Sequence, residues 1–145
     1  MMLRISRALY DEVVAHCRST YPKEACGILA GKNGVVEHVY PMANVEDSPI
    51  SYSMDPNEQL QVEKQMRSRH QQMVGIFHSH TASGAYPSSV DVSLAISPEV
   101  SYVLVSLKDQ EHLDFKSYRI DGRTVTEEPV AIEDASAGRR PVGAA

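Results

Sequence analysis

Two histidines and a following Ser-x-x-Asp unit have the spacing in this chain that could support chemistry. They lie in the run HSHTASGAYPSSVD, which places His78, His80, Ser88 and Asp91 within fourteen residues. The preceding run MVGIF is apolar and includes β-branched and aromatic residues, which predicts a buried strand over 73–79. Because residues i and i+2 of a strand point to one face, both imidazoles would be directed at the same point.

Two imidazoles and a carboxylate form a ligand set that a catalytic zinc ion accepts. Such an ion keeps three protein ligands and leaves one position to water, so His78, His80 and Asp91 would form a water-activating centre. Plainer interpretations stay open. A His-x-His pair is common as a polar strand edge or a satisfied core pair. Ser88 and Asp91 also match a helix N-cap with its N3 residue, and a helix over 89–96 would place them on one face.

Length and composition favour one soluble globular domain, and we expect a cytoplasmic location by default. With 145 residues and a net charge of −5, the chain has no basic stripe, so we expect no nucleic-acid partner. No apolar run approaches the ~20 residues that span a bilayer, and the N-terminal run lacks signal-peptide features, so we expect no membrane partner. Cys17 and Cys26 do not make a disulfide framework and fit a reducing compartment.

Helices and strands are predicted to alternate, with several hairpins. The predicted strands cover 3–5, 25–30, 35–40, 51–54, 73–79, 101–107, 113–120 and 124–130, and the predicted helices cover 7–20, 56–70 and 89–96. This order favours an α/β (α+β) fold with a mixed central sheet flanked by helices. We expect one catalytic domain over 1–132. The small, polar run 133–145 is predicted to be a flexible tail.

Glu24 is the acidic residue whose position could serve a proton transfer. A zinc-bound water needs a proton acceptor, and Asp91 would not easily be one if it is a ligand. Glu24 lies in YPKEACGILAG, where polar sequence enters an apolar strand. A surface glutamate before a strand has the same appearance, and spacing alone favours that interpretation.

The full set of these residues resembles the signature of the JAMM, or MPN-plus, metalloprotease family. That signature is E…H-[ST]-H-x7-S-x2-D, and this chain matches each position with Glu24, His78-Ser79-His80, Ser88 and Asp91. The resemblance covers roughly residues 3–130 and implies the MPN/JAMM (cytidine-deaminase-like) fold. One departure is Thr81, where many members have Pro, and we expect it to alter the loop rather than the chemistry.

The resemblance also implies a role for each matching residue. His78, His80 and Asp91 would bind one zinc ion per chain. Glu24 would hold the zinc water as general base and then protonate the leaving amine. Ser88 would donate a hydrogen bond to the tetrahedral oxyanion.

Within the family, EACGILAG and HSHTASGAYPSSVD are most similar to the small bacterial members that remove cysteine from a ubiquitin-like sulfur carrier. The implied reaction is hydrolysis of the amide bond after the carrier's C-terminal Gly-Gly tail, with release of cysteine. Two alternatives stay open. One is a JAMM isopeptidase that deconjugates ubiquitin-like proteins, and the other is a non-catalytic MPN scaffold. A homodimer of this chain is a further possibility that the sequence leaves open.

Overall fold

The computed structural model describes residues 1–134 as eight strands and three helices. The strands are β1 (Leu3–Ser6), β2 (Cys26–Lys32), β3 (Val35–Met42), β4 (Gln72–His80), β5 (Ser101–Ser106), β6 (Asp114–Asp121), β7 (Thr124–Glu128) and β8 (Val130–Glu133). The helices are α1 (Arg7–Thr20), α2 (Pro56–Ser68) and α3 (Ser89–Leu94). None of these three helices is both long and apolar enough to cross a membrane.

All eight strands form one mixed sheet, which confirms the predicted fold class. Its order is β7-β6-β5-β4-β2-β3-β1-β8, so β4 and β2 lie at the centre. β4 pairs antiparallel with β2 and parallel with β5. The parallel pair needs a crossover connection, and the segment that contains α3 supplies it. The carboxyl end of β4 therefore opens toward this crossover, which is where α/β sheets commonly place a ligand site.

The sheet is strongly curled, because its two edge strands are consecutive in the chain. Strands spaced about 4.8 Å apart would put the edges of a flat eight-stranded sheet about 34 Å from each other. β7 and β8 are separated only by Pro129, and two Cα–Cα steps span at most about 7.6 Å. The end of β7 and the start of β8 must therefore lie close together, although these two edge strands do not pair with each other.

The two faces of β4 meet different cores, because its side chains alternate. Phe77 is fully buried in the larger core, where it joins Val13 and Cys17 of α1. The opposite face of the central strands packs under α2, whose Val62 and Met66 are buried. His78 belongs to this second face, because it is one residue from Phe77.

Two predicted strands differ from the structure. Residues 51–54 have no strand pairing, and their backbone is instead held by hydrogen bonds from the Asn44 side chain. The predicted strand over 124–130 is two strands, because Pro129 has no N–H for the ladder and the chain crosses there from one edge to the other.

Several predicted boundaries also shift by one or two residues, and β2 runs to Lys32, into the predicted turn at 31–34. α2 ends at Ser68 rather than at 70, because His70 adopts a left-handed φ of 57° that ends the helix. β8 runs to Glu133, one residue beyond the predicted domain end, and pairs parallel with β1. The rest of the predicted tail, apart from Asp134, lies outside the described residues.

Candidate active site

The end of β4 places both histidines of the motif on one face. His78 and His80 are each 5 % exposed, and their ring centroids lie 5.1 Å apart. Ser79 points to the other face and joins β4 to the segment before β2. Its N–H donates to the Ala25 carbonyl at 3.0 Å, and its hydroxyl accepts from the Ala25 N–H at 2.8 Å. The intervening serine thus fixes the strand end that carries the imidazoles.

A capping box at the start of α3 brings Asp91 to the same point. The Ser88 hydroxyl accepts from the Asp91 N–H at 3.1 Å, and the Asp91 carboxylate accepts from the Ser88 N–H at 2.8 Å. Asp91 Oδ1 then lies 3.2 Å from His78 Nε2, and Oδ2 lies 3.1 Å from His80 Nε2. α3 ends at Leu94, before the predicted 96. Both interpretations of Ser88-x-x-Asp91 therefore apply, because the unit caps the helix and also faces the histidines.

The three side chains fit a metal ion. One ligand atom from each lies within 4.8 Å of the others. His78 Nε2 is buried, and its 3.2 Å contact with Asp91 Oδ1 does not have the geometry of a hydrogen bond. Such a polar atom is costly to bury unless something binds it. The His80 Nδ1 contact with the Gly84 carbonyl at 2.9 Å fixes the ring and leaves Nε2 facing the site. Two nitrogens and one carboxylate suit zinc, and among residues 1–134 no fourth protein ligand joins this group.

The ionisation of these groups also suits metal binding. Burial lowers the pKa of His78, which keeps its imidazole neutral. Burial alone would raise the pKa of Asp91, but its contacts with the two imidazoles and the Ser88 N–H hold that pKa well below the usual range. The site thus presents an anionic carboxylate beside at least one neutral ring, which are the forms that coordinate zinc.

Strand pairing brings Glu24 to the same site. β2 and β4 pair with Cys26 opposite His78, and the Ala25–Ser79 hydrogen bonds continue this register, so Glu24 lies across from His80. Glu24 is 5 % exposed, and it lines a cleft of about 480 Å³ together with His80, Ser88 and Asp91. Burial, which outweighs the opposing effect of His80, raises the pKa of its carboxyl to about 7.

The raised pKa of Glu24 makes a testable contribution to stability. A carboxyl with a folded-state pKa near 7, against 4.5 unfolded, stabilises the fold below the unfolded value and loses that effect as the pH rises through 7. We expect the unfolding free energy of the metal-free protein to fall by about 1–2 kcal/mol between pH 4.5 and 8 relative to Glu24→Gln, with screening by cleft water included. Urea unfolding of both proteins across this range measures the difference. Parallel pH curves would refute the assigned pKa.

Two further residues shape the site and were not selected from the sequence. The Tyr52 ring stacks on His78 with centroids 4.6 Å apart and an interplanar angle of 28°. The Asn44 side chain makes four hydrogen bonds. Its Nδ2 donates to the carbonyls of Glu24 and Ser51, and its Oδ1 accepts from the N–H groups of Glu46 and Ser53. Asn44 therefore ties the Glu24 backbone to the segment that carries Tyr52. The polar, turn-rich loop sequence gave no sign of either contact.

Cys26 and His16 do not join the candidate metal group. Cys26 is buried, its thiol donates toward the carbonyls of Met42 and Ala43, and burial raises its pKa to about 12. A protonated thiol is a poor metal ligand. His16, on α1, contacts the Met42 carbonyl and lies edge-on to Phe77 in the other core. Neither group therefore adds a fourth protein ligand to the candidate metal site.

Comparison with known proteins agrees with this geometry. Residues 6–121 match the family described as prokaryotic homologues of the JAB domain. The chain is 47 % identical over 133 residues to the CysO-cysteine peptidase of Mycobacterium tuberculosis. The alignment covers 90 % of this chain and 91 % of that peptidase. It is 32 % identical over 103 residues to the desampylase of Haloferax volcanii, over 66 % of this chain and 74 % of that protein.

A solved structure has the same fold. The solution structure of protein DSY2949 from Desulfitobacterium hafniense superposes with a TM-score of 0.85 at 38 % identity and covers 96 % of this chain and 97 % of its own. The family match spans most of the chain, and the relative from M. tuberculosis has nearly the same extent. The chain therefore belongs to the prokaryotic JAB-domain family, of the JAMM or MPN-plus type, and is a peptidase.

Proposed function

We propose that this protein is a zinc-dependent peptidase that hydrolyses the amide bond after the C-terminal Gly-Gly of a ubiquitin-like sulfur carrier and releases cysteine. The observation that carries the proposal is the convergence of His78, His80 and Asp91 beside the buried carboxyl of Glu24. The CysO-cysteine peptidase of M. tuberculosis supports the substrate, because the two chains are similar over about nine-tenths of each.

His78, His80 and Asp91 would hold the zinc ion. When bound, zinc would lower the pKa of a coordinated water toward 7 and polarise the carbonyl under attack. Asp91 supplies the negative charge of the ligand set, and its orientation is fixed by the Ser88 N–H. The Gly84 carbonyl plays the same orienting part for His80, as an outer partner that fixes a ligating ring.

Glu24 would move the proton. A general base works best with a pKa near the operating pH, and the carboxyl of Glu24 has a pKa of about 7. In the proposed reaction it accepts a proton from the attacking water and then delivers it to the leaving amine. Asn44 supports this role, because its hydrogen bond at 3.0 Å holds the Glu24 carbonyl in place.

Ser88 would stabilise the oxyanion that forms from the substrate carbonyl. Its oxygen already accepts from the Asp91 N–H, so its own proton stays free to be donated into the cleft. Removal of one oxyanion donor costs about 2.7–4 kcal/mol in other hydrolases. Here the cost is expected to be lower, because the donor shares the charge with the metal.

We therefore expect Ser88→Ala to lower kcat by about 10–100-fold, which is less than the effect of Glu24→Gln. Loss of the helix cap is expected to cost about 1 kcal/mol of unfolding free energy in addition. Steady-state kinetics and urea unfolding measure the two effects separately. Ser89→Ala, a neighbouring exposed serine, is the matched control. A kcat equal to that of the control would exclude the oxyanion role.

The proposed substrate is tested by comparing two adducts of one ubiquitin-like carrier protein. The zinc-loaded protein is incubated with carrier–cysteine and with a carrier–lysine isopeptide, and the mass of each is followed. We expect the cysteine adduct to be cleaved faster. Cleavage of the isopeptide alone would instead support a deconjugating isopeptidase, which the similarity to the H. volcanii desampylase favours as the second candidate.

A metal measurement separates both enzymes from a scaffold. We expect one zinc ion per chain after purification without chelator, because the complete ligand set is present. A chain that binds no metal and cleaves neither adduct would support the scaffold alternative. The homodimer and the cytoplasmic location stay predictions.

A further inference from the structure

A second, smaller pocket adjoins the metal centre, and we call it the side pocket. The side pocket shares three lining residues with the cleft that contains Glu24, namely Tyr52, Asp91 and Leu94. His78 also contributes to the wall of the side pocket. Two of these four residues are members of the candidate metal group. A group inside the side pocket would therefore lie beside the candidate metal ligands His78 and Asp91, next to the bond that is cleaved.

The wall of the side pocket is mostly apolar. Ile76 and Leu104 contribute from the central strands β4 and β5, and Ala95 and Ile96 contribute from the segment after α3. Among the described residues, this wall includes no Lys or Arg that could pair with a carboxylate. The side pocket would therefore disfavour a carboxylate and accept an uncharged side chain.

The volume of the side pocket limits what can enter. It is about 60 Å³. An engineered protein cavity of about 150 Å³ holds benzene with its six carbons. In proportion, the side pocket holds about two or three heavy atoms. Side chains of the size of Ala, Cys or Val fit, whereas Phe does not.

We propose that the side pocket receives the side chain of the residue that the peptidase releases. This inference rests on the proposed function, in which two glycines precede the cleaved bond. Glycine has no side chain, so the released residue carries the first side chain that can reach a pocket beside the metal. The side chain of cysteine has two heavy atoms, and its sulfur would gain favourable contacts with the rings of Tyr52 and Tyr102.

The first test varies the released residue with the wild-type protein. Carriers that end in Gly-Gly followed by Cys, Ala, Val, Phe or Asp are compared by kcat/KM. We expect Cys, Ala and Val to be accepted and Phe and Asp to be at least about ten-fold poorer, since a few atoms in an apolar pocket discriminate by about 10–200-fold. Equal values for Cys and Phe would overturn the inference.

The second test fills the side pocket. Ala95 has an extended backbone (φ −66°, ψ 124°) that leucine also adopts, so Ala95→Leu adds three carbons to the wall without backbone strain. We expect kcat/KM for the cysteine adduct to fall about ten-fold, while an adduct that releases glycine changes by less than about two-fold. Ala15→Leu, on the exposed face of α1, is the matched control.

A binding measurement distinguishes loss of the side pocket from a general loss of catalysis in Ala95→Leu. In a Glu24→Gln background, calorimetry is used to compare the Kd of the cysteine adduct with that of the glycine adduct, with and without Ala95→Leu. We expect the variant to weaken only the cysteine adduct. Equal loss for both adducts would overturn the side-pocket assignment and leave the proposed function standing. If the zinc-loaded wild-type protein cleaves no adduct, the proposed function fails and this inference fails with it.

Discussion

Asp91→Asn is expected to abolish metal binding and to lower kcat/KM by at least about 10³-fold. The substitution keeps the shape of the side chain, and its amide oxygen can still accept the Ser88 N–H that closes the capping box. It removes the only negative charge among the three candidate ligands, so a zinc dication would lose its main electrostatic partner. Zinc content by mass spectrometry and peptidase kinetics check the two losses.

Stability provides the control for this variant. Because the cap geometry is kept, we expect circular dichroism to show that Asp91→Asn stays folded. Asp11→Asn, on the exposed face of α1, is the matched control and should keep full zinc content and activity. One zinc per chain together with unchanged kinetics in Asp91→Asn would contradict the assigned ligand set.

Glu24→Gln is expected to lower kcat by about 10²–10⁴-fold while zinc stays bound. The amide occupies the same space but cannot accept the proton from the attacking water. The three candidate ligands are untouched, and the Asn44 contact involves the Glu24 backbone rather than its carboxyl, so the site keeps its geometry. Kinetics on the cysteine adduct, with zinc content measured on the same sample, tests the base directly.

A matched substitution distinguishes this effect from a general loss of charge. Glu127, an exposed residue of β7, is outside the cleft, and Glu127→Gln should have wild-type kinetics. If Glu24→Gln with full zinc retained wild-type kcat, another group would have to move the proton. The same variant is expected to be more stable than the wild type above pH 7 when metal-free, because burial makes the charged carboxyl costly.

Local patterns predicted most elements of the fold. The helix over 7–20 matches α1, and Ser6 caps it by accepting from the Leu9 N–H at 3.2 Å. The predicted hairpin turn at 31–34 has Asn33 and Gly34 at positive φ, as such a turn requires. These features depend on neighbours along the chain, so residue type and spacing were enough to find them.

The segment around Tyr52 shows where local patterns fail. Its sequence favoured a strand over 51–54, but the segment lies across the site with the Tyr52 ring on His78. Its conformation is set by Asn44 and by burial against a histidine twenty-six residues away. No property of the tetrapeptide itself carries that information, because strand preference reflects packing partners as much as the backbone.

The amino-acid sequence by itself predicted the two local parts of the candidate metal group, because the two-residue period of a strand and the capping geometry of a helix start are properties of the backbone. Those rules put His78 and His80 on one face and Ser88 beside Asp91. Only the tertiary structure brings the start of α3 to the end of β4, where Asp91 meets both histidines. It also decided that Glu24 faces this group, since the place of Glu24 depends on the register between β2 and β4. The side pocket has the same origin, because its walls come from strands and a crossover segment that meet only when the sheet is assembled.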